Sequence, residues 1–145
     1  MAAKRTAEVI WENDLLNGRG TVKFGSGAIP ATRVSWAART ESPDGKTSPE
    51  ELLAGAHASC YSMAFSGALA KNGTPPKRLD VKAVATFDKV GGGWKVTTME
   101  LTVKGQVPGI DRAKFVELAN GAKENCPISQ AIKNNVEIKL EAQLA

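Results

Sequence analysis

The sequence is short of the features that identify several large classes of protein. It has two cysteines and one histidine in 145 residues, and no GxGxxG, P-loop, HExxH or CxxC motif. No apolar run approaches the roughly 20 residues that span a bilayer, and the start lacks the apolar stretch of a secretory signal. The net charge of +4 comes from scattered residues, and aromatics are few, so nucleic-acid binding is not indicated. We expect a cytoplasmic protein that binds neither membranes nor nucleic acid.

Length and composition are those of an ordinary globular chain. Hydrophobic residues make up 42% of the sequence and charged residues 23%. A chain of this length can bury a genuine core, and it shows no repeat, low-complexity segment or interdomain linker. We therefore expect residues 1–145 to form a single domain.

One long helix is predicted between Thr47 and Pro76. Ser48 can cap its N-terminus, Pro49 suits the first helical position, and Glu51 stands where a capping-box carboxylate reaches back. Asn72 and Gly73 can end the helix. The stretch between these signals has few polar residues, so we expect the helix to be buried on most sides.

Cys60 lies near the middle of this helix. At about 100° per residue it shares a broad face with Leu53, Ala56, His57, Met63, Ala64 and Gly67. That face predicts a core or an interface. On this evidence alone, Cys60 is explained as a small buried hydrophobic residue.

Three strands are predicted before the helix, in Ala7–Trp11, Thr21–Phe24 and residues 29–40. Alternation of apolar and polar residues supports the first, and turn residues separate all three. Arg39 is placed near the end of the third strand.

The chain after the helix predicts a hairpin, two helices and a last strand. The hairpin strands are expected from Leu79 to Phe87 and from Trp94 to Val107. Asp111 can cap the next helix, a short helical piece follows Pro127, and residues 136–144 alternate strictly. This order indicates an α+β fold with antiparallel sheets. Because one domain cannot easily cover an apolar 25-residue helix and two small sheets, we expect an intertwined homodimer with the long helices at its centre.

Cys60 and Cys126 lie 66 positions apart. A lasting structural disulfide is not expected in a reducing cytosol, so a transient redox pair is more plausible. A reactive Cys60 would need a nearby cation, since burial raises the pKa of a thiol. Cys126, at the start of a short helix, suits a resolving or leaving-group thiol.

Arg39 and Arg19 are the two arginines that could supply the cation, although either could be a solvated surface charge. Glu50, in the first helical turn, complements the helix dipole. Ten helical positions separate Glu50 from Cys60, an axial distance of about 15 Å. A Glu50–arginine pair could therefore act on Cys60 only from a partner chain.

Two other arrangements of the same residues are weaker. His57 could act as a base for a Cys60 nucleophile, but no third orienting group is visible. Zinc held by His57, Cys60 and Cys126 would lack a fourth ligand.

Three segments resemble those of a known family. The segment from Ser48 to Cys60, SPEELLAGAHASC, is similar to a motif of the osmotically inducible protein C / organic hydroperoxide resistance (OsmC/Ohr) family. So are VPGID at residues 107–111 and NCPISQ at residues 125–130. The resemblance covers nearly the whole chain in order.

This resemblance implies a thiol-dependent peroxidase that works as an intertwined homodimer with two sites at the subunit interface. Cys60 would attack the peroxide and become a sulfenic acid, and Cys126 would resolve it as a disulfide. Glu50 would hold the active-site arginine. In the hydroperoxide-resistance branch that arginine would be Arg19, and in the osmotically inducible branch Arg39. The segment around Arg39 is more similar to the second branch.

The resemblance implies no metal and no organic cofactor. Electrons would come from a dithiol reductant, with dihydrolipoyl groups the better-known donor in the family. Apolar neighbours at Leu53, Met63 and Ile128 favour an organic hydroperoxide over hydrogen peroxide. The alternative is a thiol-based redox sensor or binding protein that keeps the cysteine pair but turns over little.

Overall fold

The computed structural model describes all residues, Met1–Ala145. It has the α+β class that the sequence predicts, with two three-stranded sheets and four helices, one more helix than predicted. In chain order the elements are β1 (Ala7–Glu12), β2 (Arg19–Phe24), β3 (Thr32–Val34), α1 (Trp36–Thr40), α2 (Pro49–Lys71), β4 (Arg78–Val90), β5 (Gly93–Gln106), α3 (Arg112–Asn125), α4 (Pro127–Ile132) and β6 (Glu137–Leu144). The chain divides into two compact units, Met1–Leu52 and Leu53–Ala145.

The first unit contains the antiparallel sheet β1-β2-β3. The third strand is much shorter than predicted, and the prediction that Arg39 lies on it is wrong. Residues 36–40 form helix α1, because the Ser35 hydroxyl accepts a hydrogen bond from the Ala38 N–H (3.2 Å) and so caps a helical turn. Arg39 therefore lies on a short helix that is capped by Ser35, four residues before it.

The second unit contains the sheet β4-β5-β6. Strands β4 and β5 form the predicted antiparallel hairpin, whereas β6 pairs with β5 in parallel. The expectation of purely antiparallel sheets is wrong for this pair. The reason is the connection, since α3 and α4 lie between β5 and β6 and carry the chain back to the end of the sheet where β5 began.

Helix α2 has the predicted boundaries. The Ser48 hydroxyl accepts from the Glu51 N–H (3.1 Å), while the Glu51 carboxylate accepts from the Thr47 hydroxyl (2.6 Å). Gly73 adopts a positive φ of 83° after the last turn, and the Thr74 N–H donates to the Leu69 carbonyl (3.0 Å). Although α2 has 23 residues, no helix of the structure is long and apolar enough to span a membrane.

The buried side of α2 differs from the predicted face. Its fully buried side chains are His57, Tyr61, Phe65 and Leu69, at a spacing of four. Tyr61, Phe65 and Leu69 pack with Phe115 and Ala119 of α3 and with Leu101 and Val103 of β5 in the core of the second unit. Met63, Ala56 and Gly67 are exposed, so within one chain the helix is covered on one side only.

Candidate active site

The two cysteines meet in the second unit. The Cys126 thiol donates to the Cys60 sulfur at an Sγ–Sγ distance of 3.1 Å, and neither cysteine is in a disulfide. Because a disulfide bond is about 2.05 Å long, a movement of about 1 Å would join them. Cys60 is partly exposed, whereas Cys126 is fully buried. The accessible thiol is therefore the one that a substrate could reach.

The two cysteines lie at different positions in their helices. Cys60 occupies the middle of α2, one residue before the buried Tyr61. Cys126 both ends α3, with its N–H donating to the Ala122 carbonyl (2.9 Å), and begins α4. Pro127 at the first position of α4 causes this break, because it disfavours helical angles at the residue before it.

The pKa of the Cys60 thiol is raised above its ordinary value. Burial is the main cause, and the neighbouring Cys126 acts in the same direction. A hydrogen bond from the backbone of Ile128, in the first turn of α4, opposes the rise. No positively charged side chain is among the causes that act on this pKa.

Arg39 and Glu50 form an ion pair in the first unit. Nη2 and Nε of Arg39 donate to Glu50 Oε1 at 2.7 and 3.0 Å, and Nε also lies 3.1 Å from Oε2. Glu50 is buried and its partner about one-third exposed. The Arg39 guanidinium carbon also lies 5.9 Å from the centre of the Trp36 ring. These contacts hold the guanidinium in place while leaving part of it accessible.

Arg19 has a different environment. It sits at the start of β2, and its side chain is 75% exposed. Its contact with Glu12 is 3.4 Å long, and that carboxylate is also exposed. An ion pair of this kind holds neither partner firmly. Of the two candidate arginines, Arg39 is the one fixed by a buried carboxylate.

An apolar cavity of about 620 Å³ opens beside Arg39 in the first unit. Its walls include Trp11, Leu15, Val22, Phe24, Trp36 and Leu52. Arg39 also contributes to the wall, in a lining that is otherwise almost entirely apolar. The cavity can therefore hold a hydrocarbon group next to a positive charge.

His57 is paired with a residue that the sequence did not single out. Its Nε2 is hydrogen-bonded to the Ser129 hydroxyl at 2.7 Å, and both side chains are buried. Burial lowers the pKa of His57, which keeps the ring neutral at pH 7. The sequence carries no local signal for this pair, since Ser129 lies 72 residues from His57.

The geometry gives no support to the zinc or protease-like arrangements. No group of three or more His, Cys, Asp or Glu side chains is placed to hold a metal ion. His57 Nε2 contacts Ser129 rather than Cys60, and Nδ1 is buried with no hydrogen-bond partner in the chain.

Known proteins resemble this chain over its full length. The model of the family described as OsmC-like protein matches residues 42–141. Peroxiredoxin OsmC of Escherichia coli (strain K12) is 38% identical over 144 residues, covering 99% of each chain. Organic hydroperoxide resistance protein OhrB of Bacillus subtilis (strain 168) is 34% identical over 97 residues, 66% of this chain and 68% of the relative. The crystal structure of OhrB of Bacillus subtilis superposes with a TM-score of 0.72 at 25% identity, covering 95% of this chain and 98% of the other. The chain belongs to the OsmC-like protein family, and its full-length likeness is to the OsmC branch.

Proposed function

We propose that this protein is a thiol-dependent peroxidase that reduces organic hydroperoxides, and hydrogen peroxide less efficiently, in the defence against oxidative and osmotic stress. The observation that carries the proposal is the 3.1 Å contact between the Cys60 and Cys126 sulfurs in an OsmC-family chain. The relatives named a peroxiredoxin and an organic hydroperoxide resistance protein support the same activity. We assign the reaction to the cytoplasm, where both thiols would be kept reduced between turnovers.

The proposed reaction begins at Cys60. Its thiolate attacks the terminal peroxide oxygen, the O–O bond breaks, and an alkoxide leaves and takes up a proton as the alcohol. Cys60 is then a sulfenic acid. The Cys126 thiol attacks this sulfur, releases water and forms the Cys60–Cys126 disulfide. Cys126 suits this role because it is buried and already touches Cys60.

Arg39 supplies the cation in this mechanism. Burial raises the pKa of Cys60, and a fixed guanidinium would lower it and polarise the peroxide. Glu50 holds Arg39 through two nitrogens, which fixes its direction. Since ten helical positions, about 15 Å, separate Glu50 from Cys60 along one helix, the pair acts on Cys60 of a second chain. The proposed site therefore requires a homodimer.

The apolar cavity beside Arg39 supports the choice of an organic substrate. A volume of about 620 Å³ with apolar walls accommodates an alkyl or aryl group, while the guanidinium faces the polar peroxide end. Hydrogen peroxide has no apolar group to fill this space, so we expect it to react less efficiently.

A dithiol reductant completes the cycle, with a dihydrolipoyl group as the proposed donor. One thiolate of the donor attacks the disulfide to give a mixed disulfide, and its second thiol then closes the oxidised donor. Both protein thiols are regenerated, and no metal or organic cofactor takes part.

Steady-state consumption of cumene hydroperoxide with dihydrolipoamide tests the proposal. We expect turnover in the wild type and none in Cys60→Ser. Cys126→Ser should still reduce one equivalent of peroxide but should not form the intramolecular disulfide. Oxidation of Cys60 in a single turnover without recycling would overturn the peroxidase and would indicate a thiol-based sensor.

A further inference from the structure

The pair His57–Ser129 links the same two segments as the cysteine pair. His57 precedes Cys60 by three residues on α2, and Ser129 follows Cys126 by three residues on α4. Two side-chain contacts therefore run in parallel between these segments, the sulfur pair at 3.1 Å and the imidazole–hydroxyl pair at 2.7 Å. They are the only hydrogen bonds between two side chains that join α2 to residues 126–132, and the backbone of Ile128 adds a third bond to Cys60.

The segment that carries Cys126 is positioned by tertiary contacts, with Cys126 in the core cluster and Ile128 packed against it. Helix α4 has six residues, and the backbone breaks at Cys126 between α3 and α4. A helix this short has little stability of its own, so its position depends on what it contacts. A small shift of α4 would move the Cys126 sulfur by a distance comparable to the roughly 1 Å that disulfide closure requires.

His57 and Ser129 are polar side chains in a buried position. His57 and Ser129 are 0% and 2% exposed, and His57 Nδ1 has no hydrogen-bond partner in the chain. Either neutral tautomer of His57 can bond Ser129 through Nε2, and either leaves Nδ1 unpaired. Two apolar side chains would fill this space without an unpaired polar atom, so packing alone does not account for the pair.

We propose that His57 and Ser129 are positioning residues, whose hydrogen bond holds Cys126 against Cys60 and so sets the rate and equilibrium of disulfide closure. The inference rests on the proposed peroxidase cycle for its physiological step, in which Cys126–SH and Cys60–SOH give the disulfide and water. The hydrogen bond acts on the geometry of the attacking thiol and takes no part in O–O cleavage.

Ser129→Ala provides the test, because it removes a single oxygen atom from the pair. Ser62→Ala is the matched control, since the Ser62 hydroxyl donates to the Ala58 carbonyl within α2 (2.7 Å) and does not reach α4. Each protein is equilibrated with mixtures of lipoamide and dihydrolipoamide, and the disulfide fraction is measured by intact mass after alkylation. We expect Ser129→Ala to lower the equilibrium constant for closure about tenfold, or about 30 mV, and Ser62→Ala to leave it unchanged.

A single turnover gives the second readout. One equivalent of cumene hydroperoxide is added in the presence of dimedone, which traps sulfenic acid, and the Cys60 adduct is quantified by mass. In Ser129→Ala the trapped fraction should rise several-fold, while the rate of Cys60 oxidation changes less than the rate of closure. His57→Gln, which keeps an amide able to bond Ser129, should lie between the wild type and Ser129→Ala.

The outcomes separate this inference from the proposed function. Unchanged closure in both Ser129→Ala and His57→Gln would overturn the positioning role, as would an equal shift in Ser62→Ala. If the wild type closes its disulfide with lipoamide but does not consume peroxide, the peroxidase fails while a Ser129→Ala shift still supports the positioning role. If Ser129→Ala does not fold, His57→Gln alone decides, and closure equal to the wild type overturns the proposal.

Discussion

Helix α2 has two faces that differ in the size of their side chains and in their burial. The face that packs in the core of the second unit carries the large, fully buried His57, Tyr61, Phe65 and Leu69. The opposite face carries small exposed residues and one large one, namely Gly55, Ala56, Ser59, Met63 and Gly67. A Cβ added at either glycine would meet nothing within 4 Å. One face is thus completed by its own chain, and the other leaves room for close approach by a second copy, as the proposed dimer requires.

The largest effect is expected on the buried face. Phe65 lies 5.1 Å from the Phe115 ring centre and 5.8 Å from that of Tyr61. Phe65→Ala should lower the free energy of unfolding by about 3–5 kcal/mol, because it leaves a cavity in this cluster. Urea unfolding at one fixed protein concentration measures it. The adjacent Ser66→Ala, which is only partly buried, should change the value by less than about 0.5 kcal/mol. Equal losses of unfolding free energy in the two variants would show that the buried face does not contribute more to stability than the rest of the helix.

The ion pair between Arg39 and Glu50, the buried carboxylate in the first turn of α2, can be tested for a role in catalysis. Arg39→Ala should lower kcat/KM for cumene hydroperoxide about 10²–10³-fold, because the peroxide and the thiolate lose a fixed positive charge. It should also move the pH profile of Cys60 oxidation to higher pH. Arg19→Ala should stay within about twofold, since its ion pair is exposed. Full activity in Arg39→Ala with loss in Arg19→Ala would show that Arg19, and not Arg39, is the active-site arginine.

The exposed face can be tested by adding a charge. Met63 is 74% exposed in the single chain, so Met63→Glu should leave the fold of a protomer intact. In a dimer built on this face the new carboxylate would be buried without a partner, which should weaken association by about 100-fold or more. Sedimentation equilibrium measures the dissociation constant. Val90→Glu, at the exposed tip of the β4–β5 hairpin, is the control. An active wild-type monomer would contradict the dimer altogether.

The smallest expected effect concerns His57 on the buried face and the pH dependence of the free energy of unfolding. Burial lowers the pKa of His57 below its ordinary value of 6.5, so the unfolded chain binds this proton more readily than the folded one. The resulting contribution to stability is complete above pH 6.5 and is lost as the pH falls through the folded-state pKa. Urea unfolding of the wild type should therefore show a larger loss between pH 7 and pH 5 than that of His57→Gln. Equal losses would mean that His57 does not titrate differently on folding.

Features set by local sequence were predicted well. The ends of α2 follow from Ser48, Pro49 and Gly73, each of which acts within a few residues of its position. The hairpin of β4 and β5 and the cap at Asp111 were also predicted for local reasons. The family motifs singled out Cys60 and Cys126, whose sulfurs the fold brings into contact.

Features set by distant contacts were not predicted. Parallel pairing of β6 depends on where α3 and α4 return the chain, which strand periodicity does not encode. Ser129 lies 72 residues from His57, and a serine in a short helix gives no sign of a buried partner. Helix α1 is an exception, because its Ser35 cap is local in sequence and yet the alternation of Val34 and Trp36 favours a strand there.

The claim that one active site draws on two chains can be measured directly by mixing inactive subunits. Cys60→Ser keeps Arg39 and Glu50, whereas Arg39→Ala keeps both cysteines. The two proteins are unfolded, mixed in equal amounts and refolded together, and mixed dimers are counted by native mass spectrometry. Each mixed dimer would contain one intact site, so random assortment should restore about a quarter of wild-type peroxidase activity. Mixtures that contain mixed dimers but are no more active than their parents would show that Arg39 does not act across the interface.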